Sequence, residues 1–185
     1  VVARLNALTD RPTRSAFQGN LSNLQRDGQT NYVAALREAA AMLERANAPR
    51  DAVTLFLTDG EHTVGGTSEE VLNGITPFIQ HGWKVYCIGL GAEAQSSQLL
   101  KEIAVRSEGA YFPAVTPEEL MGAFVKILSQ TFSLISVDGG IKPFQVDAGV
   151  KRLIYLMIKG SKETSLGKLT NNGGALHVAG DPSLY

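Results

Sequence analysis

One apolar run that stops abruptly on a carboxylate constrains this chain more than any other stretch. Val53-Thr54-Leu55-Phe56-Leu57-Thr58 is followed at once by Asp59-Gly60-Glu61. A near-continuous apolar segment of this kind reads as a strand buried on both faces, as in parallel sheets. On that reading Leu55 and Leu57, or their neighbours Val53 and Phe56, should be buried. A second such run spans residues 84–90, and residues 68–81 between them read as a crossover helix whose Ser68-Glu69-Glu70 forms an acidic first turn. Strand, helix, strand in that order is a βαβ unit. In open α/β sheets ligands bind at the carboxyl ends of the strands, so Asp59 stands where a site is expected.

The alternation continues on both sides. Thr30 or Asn31 can cap a helix in which Val33, Leu36, Ala40, Leu43 and then Ala46 or Asn47 recur at spacings of three and four, with Pro49 beyond its end. Downstream, residues 96–107 read as a helix and 110–114 as a strand, and Thr116-Pro117-Glu118-Glu119 opens a helix running to about Phe132. Met121, Phe124, Ile127 and Leu128 form a stripe at helical spacing, which marks a core face. Upstream, residues 1–8 read as a strand and 16–25 as a short helix. After Ser136 helical spacing disappears. Gly139-Gly140, Pro143, Asp147-Ala148-Gly149 and Asn171-Asn172-Gly173-Gly174 separate short β-like runs at 144–146, 151–158 and 175–178. The expected organisation is an α/β domain over residues 1–134 and a β-rich module, part of a β-sandwich, over 135–185.

Composition narrows the function classes. Net charge is −1 over 185 residues and no Lys/Arg cluster follows the pattern a phosphate backbone requires, which argues against nucleic acid or an anionic membrane as partner. The longest apolar runs fall short of the ~18 residues a membrane span needs. Cys87, the single cysteine, falls inside a strand and reads as a small core hydrophobe. His62, His81 and His177 have no zinc spacing, with His62 read as solvated beside Asp59 and His81 as a helix-end residue. Gly89-Leu90-Gly91 has Ala94 where a dinucleotide loop carries its third glycine, and no acidic residue is placed for a ribose, so a strand-end turn is the better reading. No nucleophile, carboxylate pair or phosphate loop can be assembled, and the chain does not read as an enzyme.

At Gly28-Gln29-Thr30-Asn31-Tyr32 and Thr58-Asp59-Gly60 the chain resembles a von Willebrand factor type A domain, whose metal-ion-dependent adhesion site combines an Asp-x-Ser-x-Ser motif, a later Thr and a later Asp. Lys84-Val85-Tyr86-Cys87-Ile88-Gly89-Leu90-Gly91, Leu99-Leu100-Lys101-Glu102-Ile103-Ala104 and Gly109-Ala110-Tyr111-Phe112 continue the resemblance in family order over residues 28–130. It implies a Rossmann-like three-layer α/β/α fold with a mostly parallel sheet. It also implies metal ligands at Thr30 and Asp59, with Asn31, Gly60 and Glu61 at the periphery. The ion would be Mg, with Mn or Ca as alternatives, and the partner a protein presenting an acidic side chain, in a secreted or cell-surface setting.

One departure matters: no Asp-x-Ser-x-Ser occurs anywhere in the sequence. The chain is therefore expected to begin inside the domain, and to pair with an earlier segment or with another chain. Thr30 and Asp59 alone offer Mg one neutral and one charged oxygen, with Glu61 or Asp27 as further candidates. The bland alternative makes Thr30 a helix cap and Asp59 a turn former. A metal-free scaffold domain and an accessory subunit of a metal-chelatase-like complex are the competing functions.

Overall fold

The computed structural model describes residues 10–23, 28–94, 97–132, 170–171 and 174–175. The chain divides into two units, Val1–Val137 and Asp138–Tyr185. In the second unit the described structure is a short antiparallel pair, Thr170–Asn171 against Gly174–Ala175. The expected strands at 144–146 and 151–158, the strand at 1–8 and Asp27 lie outside the described residues, as does all but Ala175 of the run at 175–178.

The first unit is an α/β fold around a parallel sheet. Strands β1 (Val53–Thr58), β2 (Lys84–Leu90) and β3 (Tyr111–Ala114) lie side by side in that order. Phe56 registers with Cys87, Leu57 with Ile88, and Cys87 with Tyr111. One face carries Phe56, Val85 and Cys87 against α2 (Tyr32–Arg45), α3 (Ser68–Asn73), α4 (Thr76–His81) and α6 (Gln98–Arg106), the last following a short α5 (Gly91–Ala94). The other carries Tyr86 and Ile88 against Ala123 and Ile127 of α7 (Pro117–Phe132).

The helices start where their local chemistry directs. Asn31 Oδ1 accepts from Ala34 N–H at 2.9 Å and caps α2, whose Val33, Leu36, Ala40 and Leu43 are all buried at the expected spacing. Thr67 and Glu70 form a reciprocal capping box at α3. Glu119 accepts from Val115 and Thr116 N–H groups at the start of α7, and Glu119 N–H in turn donates to the Thr116 hydroxyl oxygen.

Several expectations are corrected. The crossover at 68–81 is two short helices, because Pro77 sits in the first turn of α4 and has no N–H to carry one helix through. The first helix, α1, runs Arg11–Ser22, earlier than expected, since Asp10 caps it with Pro12 in its first turn. No side chain of α1 is buried. Of the expected stripe on α7, Ile127 is buried and Phe124 packs against the core beside Ala123, but Met121 stays 49% exposed. Most consequential is β1. It buries Phe56 and Thr58 but leaves Leu55 42% and Leu57 41% exposed, because α7 covers that face over β2 and β3 and β1 is the end strand among those described.

Candidate functional site

The carboxyl end of β1 and the amino end of α2 meet through their loops. Thr30 N–H donates to Thr63 Oγ1 at 2.9 Å, and Thr63 N–H returns a bond to Thr30 O at 2.9 Å. Val64 N–H also reaches Thr30 O, at 3.3 Å. Tyr32 joins the same loops twice, its N–H donating to His62 Nδ1 at 3.1 Å and its hydroxyl to Gly60 O at 2.6 Å. His62 Nε2 lies 2.9 Å from Gly66 O. The expected solvated His62 is therefore half-buried and bonded at both nitrogens, its ring 5.4 Å from that of Tyr32.

Gly65 and Gly66 make this closure possible. Both have positive φ, 89° and 133°. A Cβ on Gly65 would stand 2.1 Å from the Asn31 side chain, and one on Gly66 would stand 2.7 Å from Glu70 Oε2. The loop is thus wedged between the cap of α2 and the capping box of α3, in a backbone conformation that favours glycine.

This arrangement places the two candidate ligands. Thr30 Oγ1 lies 3.6 Å from where a Cβ on Gly60 would be, next in sequence to Asp59. Asp59 and Glu61 are exposed, whereas Asn31 and Gly60 are half-buried. The structural duties that Thr30 and Asp59 could have performed fall to other groups. Asn31, not Thr30, caps α2. The turn at Asp59-Gly60 is held by the Thr58 hydroxyl, which donates to Gly60 O at 2.8 Å and accepts from Gly60 N–H at 3.3 Å, together with the Tyr32 hydroxyl. Neither the Thr30 hydroxyl nor the Asp59 carboxylate takes part in the described hydrogen bonds. Among the described residues no group of three or more His, Cys, Asp or Glu is arranged to hold a metal.

Electrostatics set the surroundings. Burial, above all, pushes the Tyr32 phenol above its ordinary value, so it remains a neutral donor to Gly60. Bonds from the Thr67 backbone and hydroxyl hold the Glu70 carboxyl below the usual range, and nearby His62 adds to that. Sequence reading missed Tyr32, Thr63 and the Gly65-Gly66 pair. A Gly-Gly after a strand-end carboxylate was the one local signal, and its partners were visible only in three dimensions.

A hollow of about 420 Å³ lies at the opposite, amino ends of the strands, lined by Arg50, Lys84, Arg106, Asp51, Glu108 and Trp83 among others. It carries both signs of charge. His81 stacks on Trp83 there at 4.2 Å, and the Trp83 indole N–H donates to Pro49 O.

No family model matches the chain, and no curated protein does. Solved structures do resemble it, among them an uncharacterized membrane spanning protein from Vibrio fischeri at 22% identity and a TM-score of 0.38. That likeness covers 63% of this chain, which spans 66%, just under two-thirds, of the other. A similarity this low carries no argument about function. Among the described residues no helix is long and apolar enough to cross a membrane.

Proposed function

We propose that the crevice between the Thr30 loop and the Asp59 loop is a protein-binding face of the von Willebrand factor type A kind, capturing an acidic group of a partner with the help of a Mg-type ion. The observation that supports this reading is the freedom of two side chains from capping and turn duty: the Thr30 hydroxyl faces Gly60, next in sequence to the exposed Asp59, while Asn31, Thr58 and Tyr32 do the capping and the turn bonding. A hard cation suits such oxygens, and Mg²⁺ keeps several waters and needs few protein carboxylates. Thr30 and Asp59 would hold the ion together with ligands from outside the described residues, since two oxygens hold it weakly. Bound there, it would supply positive charge to an incoming carboxylate. Asn31, Gly60 and Glu61 would shape the rim. This reading makes the chain a non-enzymatic adhesion module of a secreted or surface protein.

Titration calorimetry with Mg²⁺, on this chain and on one lengthened upstream by an Asp-x-Ser-x-Ser strand, tests it. The expected result is weak or no binding by the former and clear binding by the latter, abolished by Asp59→Ala. Binding unaffected by Asp59→Ala would sink the metal reading. The place of β1 as end strand among the described residues favours a second element of the proposal, that β1 pairs with a further segment or chain. If that pairing is the whole function, the domain is a metal-free scaffold and capture would survive excess chelator.

A further inference from the structure

At the amino ends of β1 and β2 the hollow of about 420 Å³ falls inside the roughly 300–1,000 Å³ range of small-molecule sites. Its walls are held by bonds that no ligand has to organise. The Trp83 indole N–H donates to Pro49 O at 3.0 Å, fixing the turn that carries Arg50 and Asp51. The Ser107 hydroxyl accepts from Val85 N–H at 3.2 Å and donates to Ile103 O at 2.8 Å, fixing the end of α6 to β2. Arg50 lies over Gly82, where an added Cβ would come within 2.9 Å of its Cγ and Nε.

One wall residue breaks two local rules at once. α6 closes in a Schellman turn, with Glu108 N–H donating to Val105 O at 3.2 Å and Gly109 N–H to Ala104 O at 2.9 Å. The left-handed residue that ends a helix is normally glycine, as Gly82 is at the end of α4 with φ 72°. Here it is Glu108, at φ 54°. A carboxylate there also meets the negative end of the helix dipole, where a cation is favoured. Partners within the fold do not account for it. Among the described residues none of Glu108, Asp51, Arg50 and Lys84 makes an ion pair or a side-chain hydrogen bond, while Arg106 is turned to Glu102. A residue that breaks local rules with no compensating contact marks function. The hollow thus presents two carboxylates and two cations without partners, with Ile79, 51% exposed, on its lining.

We propose that this hollow binds a small zwitterion with an aliphatic body, the chemistry of a free aliphatic amino acid: Glu108 and Asp51 take its ammonium, Arg50 and Lys84 its carboxylate, and Ile79 packs against its side chain. A ligand of one sign would leave two of the four groups unanswered. The hollow lies at the opposite ends of the strands from the crevice between Thr30 and Asp59, and the proposal stands or falls without that crevice.

The chain has a single tryptophan, Trp83, whose fluorescence therefore reports on the hollow. Titration with L-leucine should give a saturable change, with amide shifts centred on Arg50, Asp51, Ile79, Lys84 and Glu108. Isocaproate, which lacks the ammonium, and isopentylamine, which lacks the carboxylate, should each bind at least about tenfold more weakly, the loss of a charge-assisted hydrogen bond. Glu108→Gly should raise the thermal midpoint, since glycine suits the left-handed turn, and still weaken leucine by about tenfold or more. Loss of binding in a more stable variant is not unfolding. No saturable response to leucine, equal binding of the three probes, or full affinity in Glu108→Gly overturns the proposal.

Discussion

Two neighbouring strands differ sharply in what surrounds them. β2 is buried at every residue from Val85 to Gly89, with helices on both faces. β1 buries Phe56 beneath α2, where it meets Tyr32 edge-on at 5.0 Å, and leaves the opposite face, Leu55 and Leu57, open. The registered pair Leu57 and Ile88 shows the contrast within one face: Ile88 is fully buried and Leu57 is 41% exposed. The difference teaches that apolar content qualifies a strand for a sheet's centre, whereas its neighbours decide whether it occupies that place.

The largest expected effect contrasts the two faces of β1 by urea denaturation. Phe56→Ala should cost about 3–5 kcal/mol, and Ile88→Ala about 2–5 kcal/mol, each leaving a cavity in a closed core. Leu57→Ala should cost less than about 1.5 kcal/mol, since much of its surface already meets water. A Leu57→Ala cost equal to that of Ile88→Ala would mean that another segment covers this face and would break the comparison.

Next in size is an alkaline transition at the buried centre. Burial pushes the Cys87 thiol from an ordinary 9.0 up to about 12. The folded state therefore retains a proton that the unfolded chain releases, so the stabilisation is fully present below pH 9 and is lost as pH rises from 9 toward 12. The loss should reach roughly 4 kcal/mol. Denaturation curves from pH 8 upward should show it, and Cys87→Ala should flatten it apart from the smaller contributions of Tyr32 and Tyr111, whose phenols burial also raises. A slope that persists unchanged in Cys87→Ala would place the cause elsewhere.

The smallest effect concerns the loops that β1 carries. Gly66→Ala combines positive φ with an approach to Glu70 and should cost about 1–3 kcal/mol, but its Glu70→Ala background should recover part of that, because the clash is with a movable side chain. Gly65→Ala meets Asn31 and should be rescued only by shortening Asn31, at the expense of the α2 cap. Equal rescue of both by Glu70→Ala would contradict the wedge.

What could be read from the residues alone was what local chemistry controls. The α/β alternation, the cap at Asn31, the acidic start at Glu69-Glu70, the proline-led α7 and the buried face of α2 all depend on contacts within a few positions, and each is present. The placement of Asp59 at the end of β1 belongs to the same class, because a strand's carboxyl end is set by its own termination. Tertiary structure alone decided the rest. The exposure of Leu55 and Leu57 depends on which elements stack on a face, and an apolar side chain carries no record of that. The joining of Tyr32 to His62 and of Thr30 to Thr63 spans about thirty residues of chain, and such bonds form between groups whose partners are chosen by where the sheet brings two loops together, not by their spacing in sequence.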